Sequence, residues 1–209
     1  VTAQGTVTIG AKDILSLAGD DRAVYPRPSV GKLTLDISDS ATTVTITPVG
    51  VGDLDYAPSG FVRVGSEVMA YTRAGDVLTL VRAQGGTSST SHKVGDTVQQ
   101  VGEFSGVKVQ DILYELMTVG ANISPAYIPE SEWDAEQVAY LSRKYSALIT
   151  APTGVSKLIA ELAEQIGFFM FWDEVGEKIR FKAIRPNAGT DAIYELTAER
   201  DILADSLSL

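Results

Sequence analysis

Residues 65–101 read Gly65-Ser66-Glu67-Val68-Met69-Ala70-Tyr71-Thr72-Arg73-Ala74-Gly75-Asp76-Val77-Leu78-Thr79-Leu80-Val81-Arg82-Ala83-Gln84-Gly85-Gly86-Thr87, then Ser88-Ser89-Thr90-Ser91-His92-Lys93-Val94-Gly95-Asp96-Thr97-Val98-Gln99-Gln100-Val101. This run predicts three or four short strands joined by turns. Val68, Ala70 and Thr72 alternate with Met69, Tyr71 and Arg73, the period of two that gives a strand two different faces. Ala74-Gly75-Asp76 supplies a tight reversal, and Val77 to Val81 returns as a second strand rich in β-formers. Gln84-Gly85-Gly86-Thr87 is a loop that needs the conformational freedom of glycine. Ser88 to Ser91 continue it, and His92 to Asp96 turn the chain into a last strand, Thr97 to Val101.

Upstream, Val1 to Gly10 alternates like a strand, and Ala11 to Leu17 suits a strand or a short helical turn. Gly19 to Pro28 reads as a linker, because Pro26 and Pro28 resist helix and Asp20-Asp21 is polar. Lys32 to Ile37 alternates, Thr42 to Thr47 is β-branched, and Pro48 to Asp55 is a Gly-rich connection. A strand and linker at 1–30 thus precede a β-module at 31–103.

Downstream the period changes to that of a helix. Val109, Ile112, Leu113, Leu116 and Met117 share one helical face that ends near Gly120. A second helix is predicted from Pro129 to about Lys144, with Glu130, Glu132 and Asp134 complementing the positive end of its dipole. A third has Thr153 as its cap, Val155, Leu158, Ile159, Leu162 and Ile166 as its apolar stripe, and Gly167 as its stop. Leu158→Asp or Leu162→Asp is accordingly expected to destroy folding by burying an unpaired charge. Phe168 to Trp172 and Lys178 to Ile184 form a hairpin, and Tyr194 to Leu196 adds a possible strand. Both faces of Phe168 to Trp172 are apolar, which predicts a strand covered twice: by the third helix, and by a further layer of the fold or a neighbouring subunit. Residues 104–209 form a helix-then-strand unit, so the fold class is α+β, with a β-rich insertion domain followed by an α+β domain.

The chain has 209 residues, 44% hydrophobic and 21% charged, which suits a folded protein with a proper core. No apolar run approaches the roughly 20 residues needed to cross a bilayer as a helix. The formal charge of −10 argues against a dedicated nucleic-acid binder, which needs a basic face. Zero cysteines rule out disulfides and thiol chemistry. Val1 and the alternating Ser206-Leu207-Ser208-Leu209 both read as cut ends, predicting a fragment of a longer polypeptide.

Candidate chemistry is sparse. Zinc needs several His or Cys ligands, and His92 is the one histidine. His92 suits either an acid/base role or a ring that ties down its own loop, and the second is the commoner use. There is no Gly-x-Ser-x-Gly elbow for a serine hydrolase. Glu130, Glu132, Asp134 and Glu136 cluster, but acidic residues in a first helical turn are expected on dipole grounds. Asp53 and Asp55 suit calcium or, more often, a turn. Gly50-Val51-Gly52 and Gln84 to Thr87 lack the Gly-Lys-Ser/Thr element of a phosphate loop. Trp172 beside Asp173-Glu174 invites sugar stacking, though core packing is more frequent. No catalytic, cofactor-binding or metal residue is assigned, and no enzyme activity or cofactor is expected.

The order Glu67-x-Met69-x-Tyr71, a Gly75-Asp76 hairpin, Leu78-x-x-x-Arg82, a Gly86-Thr87 loop and His92-x-x-Gly95-Asp96-x-Val98 resembles a β-module of tail and baseplate proteins of tailed bacteriophages. Thr6 to Leu15, Pro26 to Leu33, Gly106 to Leu116, Tyr145 to Ala183 and Arg200 to Ser206 resemble segments of the same proteins in the same order. The chain as a whole is similar to a siphophage-type baseplate hub, or tail-tip, protein. The resemblance implies a virion structural protein of a phage or prophage, at the distal tail tip, assembled in the host cytoplasm. It implies a homotrimer that joins the tail tube and distal tail proteins to the tape-measure protein and to a central fibre or spike. DNA would touch it only in passing through the lumen, where negative charge prevents sticking. The rival expectation is a carbohydrate-binding, host-receptor module of the tail tip that uses an exposed aromatic such as Tyr56 or Tyr71. A cell-wall hydrolase is a third.

Overall fold

Residues 13–185 are described by a computed structural model. The chain begins with a 3-10 turn, Ile14–Gly19, started by the Asp13 carboxylate, which accepts the Ser16 N–H at 3.1 Å. In order there follow β1 (Val24–Tyr25), β2 (Lys32–Leu33), β3 (Thr43–Thr47), α1 (Val51–Asp55), β4 (Ser59–Val64), β5 (Glu67–Ala74), β6 (Val77–Gln84) and β7 (Gln99–Lys108). The second half holds α2 (Val109–Glu115), α3 (Glu130–Tyr140), β8 (Lys144–Ile149), β9 (Thr153–Gly154), α4 (Val155–Ile166), β10 (Phe168–Asp173) and β11 (Lys178–Ala183). Helices and antiparallel sheets together make this an α+β fold.

The largest sheet has seven strands in the order β2-β3-β6-β5-β4-β7-β8, with every neighbouring pair antiparallel. Its β2 end curls back: Leu33 N–H donates to the Asp96 carbonyl at 3.0 Å, and Val98 N–H donates to the Gly31 carbonyl at 2.9 Å. The residues leading into β7 therefore close the first six strands into a small barrel. Alternation explains what fills it. Val62 and Val64 of β4, Met69 and Tyr71 of β5, and Leu78 and Leu80 of β6 point inward with Leu33, Ile46 and Val98.

A second core lies beyond the barrel. Val109, Ile112, Leu113, Leu116 and Met117, the face read from the sequence, are all buried in it with Trp133, Val155, Phe168, Ile179 and Phe181. The end of that helix widens into a π-turn, Leu116–Gly120. Gly167, at φ +83°, ends α4 in the left-handed conformation that a residue with Cβ adopts only with strain. The 10-residue β7 joins the two cores, so the boundary expected at 103/104 falls inside a strand.

Several expectations need correction. The 19–28 segment is more than a linker: Ala23 and Tyr25 are buried in the second core, and β1 pairs with β9. That pairing also takes Thr153 away from capping α4. Its hydroxyl donates to Ala151 at 3.0 Å, and Gly154 occupies the cap position, while the Val155 N–H is satisfied by the Ala23 carbonyl at 2.8 Å. The second helix stops at Tyr140, because Lys144–Ile149 is drawn onto β7 as β8. Of the two covers expected for β10, the described residues supply the one on the core side. Phe168 is buried and Met170 and Trp172 pack on the core, whereas Phe169 and Phe171 stay 48% and 42% exposed. The strand readings at Val1 to Gly10 and Tyr194 to Leu196 lie outside the described residues.

Candidate functional site

Glu67 opens β5 on the same face as Met69 and Tyr71, so alternation carries a carboxylate toward the barrel interior. It is wholly buried. Arg82, from the end of β6, meets it as a two-pronged fork, with Nε 2.8 Å from Oε1 and Nη2 2.7 Å from Oε2. His92 Nε2 lies 2.8 Å from Oε2, and the backbone N–H groups of Ala83 and Thr90 donate at 3.2 and 3.1 Å. Burial alone would raise the Glu67 carboxyl; the Arg82 fork, His92 and the two backbone donors outweigh it and hold the group at about 2.

The same arginine reaches further. Its Nη1 donates to the Ser38 and Ala41 carbonyls at 2.8 and 3.0 Å, and Nη2 donates to the Thr90 carbonyl at 2.7 Å. His92 is bridged to Ile37 by two backbone bonds of 2.9 and 3.0 Å. Glu67, Arg82 and His92 thus clamp two loops onto the β5–β6 pair. A carboxylate with five donors and no solvent contact is a structural anion, because a general base must reach the proton it takes. The sequence singled out His92, and the structure gives it the loop-holding role.

Most of the remaining candidates are likewise engaged in holding the chain together. The Gly50-Val51-Gly52 loop does cradle an anion, but that anion is Asp76, which accepts the Gly50 and Gly52 N–H groups at 2.6 and 2.8 Å. Asp53 pairs with Arg73. Glu132 pairs with Arg180, Asp134 with Lys108, and Glu136 accepts the Ala183 N–H at 3.0 Å. Thr87, in the Gln84 to Thr87 loop, accepts the Val68 N–H at 3.0 Å. Among the described residues no group of three or more His, Asp or Glu is placed to hold a metal ion. Tyr56 and Tyr71 are buried, meeting edge to face at 6.3 Å, so neither presents a ring to a sugar. Burial pushes the Tyr56 phenol up to about 12, and its hydroxyl donates to the Val98 carbonyl at 2.5 Å.

Open apolar surface lies elsewhere. Between β8 and α4 runs a cleft of about 430 Å³, floored by Phe104, Ile112 and Leu116 and walled by Tyr145, Leu158 and Leu162. Leu158 and Leu162 are only partly buried. The strand β8 ends the seven-stranded sheet, so its outer edge has no strand partner among the described residues. An unpaired strand edge beside an apolar trough is the geometry by which an extended segment adds to a sheet. Periodicity located the stripe on α4 but not the trough, because the stripe alone does not show how much of it is covered.

No protein-family model matches the chain, and comparisons with curated proteins and with solved structures gave no match. No helix among the described residues is long and apolar enough to cross a membrane.

Proposed function

We propose that this chain is a structural assembly module of a phage or prophage tail tip, part of a baseplate hub that joins tail tube to fibre or spike. The observation that carries it is the contrast between two kinds of surface. Most of the acidic and basic candidates named above bind one another or the backbone, whereas among the described residues apolar surface and a strand edge are left open at β8 and α4. Such a distribution favours binding another polypeptide over turning over a small substrate. The tail-tip assignment itself rests on the colinear sequence resemblance, in which Glu67, Arg82 and His92 are motif positions.

In this reading the full-length protein is a homotrimer that contacts the distal tail, tail-tube and tape-measure proteins and the central fibre or spike, and DNA passes through its lumen without stable contact. Obligate interfaces of this kind bury roughly 2,000–5,000 Å², and the β8 edge with the α4 trough contributes to one of them.

Antibody raised to this chain, gold-labelled and imaged on particles from a phage-producing lysate, tests the assignment. Label confined to the distal tail tip is expected. Particles that carry no label while the protein stays free in the lysate would sink it, and label along fibres would favour receptor binding.

A further inference from the structure

Two open apolar features of this chain are rimmed by opposite charge. The first is the short helix α1 with the residue before its cap. Gly50 is the N-cap, so Val49 and Leu54 take the two positions that flank a helical first turn on one side. In many helices such a pair is covered by packing; here Val49 is 95% and Leu54 83% exposed. The loop that displays them is tied down. Asp76 accepts the Gly50 and Gly52 N–H groups, and a Cβ at Gly52 would stand 2.0 Å from the Gly75 carbonyl oxygen, so its backbone lies directly on the β5–β6 turn. An apolar pair on a loop already held in place has little freedom to lose on binding. Next to Leu54, the exposed Asp55 carboxylate makes no ion pair among the described residues.

The second feature is the trough between β8 and α4, with its floor of Phe104, Ile112 and Leu116. Arg143 and Lys144, where β8 begins, are exposed and make no ion pair among the described residues. Lys157, on the α4 wall, comes no nearer than 3.9 Å to Glu161. Three cations against Glu161 leave this rim positive in a chain whose formal charge is −10. Opposite charges on matching rims guide encounter and fix register, while the apolar centre is what gains by burial. A projection and a recess at different places on one molecule form a heterologous contact, which closes into a ring where the rotation allows. We propose that Val49 and Leu54 of one copy seat in the β8–α4 trough of a second copy, with Asp55 facing Arg143 and Lys144. The inference rests on the assembly reading above and names the surfaces by which copies meet.

The chain has no native cysteine, so one introduced on each copy reads the contact directly. Full-length Leu54→Cys is mixed with a size-tagged Leu148→Cys chain, Leu148 being part of the trough lining. A mixture of Leu54→Cys with Val81→Cys, on the exposed outer face of the barrel, is the control. Oxidation is expected to link the first mixture well above the control. Adding Asp55→Lys to the first chain should lower that yield, and adding Lys144→Asp to the second should restore it. A yield at the control level overturns the proposal, and so does one that neither charge change moves. Links formed mainly between two Leu54→Cys chains also overturn it, by making the contact symmetric. Gold labelling reads where the protein sits and cross-linking reads which surfaces meet. Linked copies without tail-tip label would sink only the tail-tip reading, and label without links only this one.

Discussion

His92 Nε2 and Glu67 Oε2 lie 2.8 Å apart, and neither side chain is open to solvent. The contact joins the start of β5 to the loop that leads into β7, 25 residues on. With the Arg82 fork it converts three separate motif positions into one object. Glu67→Ala leaves a buried guanidinium without its counter-ion, and removing one partner of a buried pair costs about 3–5 kcal/mol. Urea denaturation of the variant should show that loss; a midpoint within error of the parent would mean the cluster contributes little.

Acid should act through the same carboxylate. The folded-state value of about 2 lies below the ordinary 4.5, so the ionised form is favoured by folding. The contribution is therefore complete above about pH 4.5 and is lost as pH falls through the interval down to about 2. Over that interval it amounts to about 3 kcal/mol at 1.36 kcal/mol per pH unit. Glu67→Gln should flatten that part of the stability profile, measured by thermal melts at stepped pH. An unchanged slope between pH 4.5 and 2 would assign acid sensitivity to other groups.

Tyr25 packs flat against β7. A Cβ added at Gly102 would stand 2.4 Å from Cε1 and 3.0 Å from Cζ of that ring. Gly102→Ala should therefore cost about 1–3 kcal/mol by overpacking, read by calorimetry. A variant of parental stability would mean that the ring has room to move aside.

The α4 stripe separates folding from assembly. Leu113 has no exposed surface, and Leu113→Ala should cost about 2–5 kcal/mol. Leu162, on the wall of the trough, is only partly buried, so Leu162→Asp should retain the fold by circular dichroism while weakening assembly of the full-length protein. This replaces the expectation, drawn from the stripe alone, that such a change destroys folding. Unfolding of the Leu162 variant would restore that earlier view.

Local periodicity was a sound guide wherever a segment's own pattern decided its state. The Val109 to Met117 face, the Gly167 stop and the β10–β11 hairpin were all legible because one neighbouring layer settles them. Lys144–Ile149 was not, because nothing in its own pattern names β7, the partner that holds it across some 40 residues of sequence. The Glu67–Arg82–His92 clamp was half legible: its spacing stood out as a motif, but an ionisable residue at an inward strand position does not disclose its partners. Tyr56 and Tyr71 were misread as exposed because aromatic type says nothing about which way a curled sheet turns its faces.

The long strand β7 and the residues that lead into it reach both cores: Val98 fills the barrel, Phe104 belongs to the second core, and Gly102 lies beneath Tyr25 between them. A load applied to the barrel would therefore be carried lengthwise along one continuous backbone into the helices, in shear across the β4 and β8 ladders rather than by peeling them bond by bond. The two units are joined by a strut and not by a hinge.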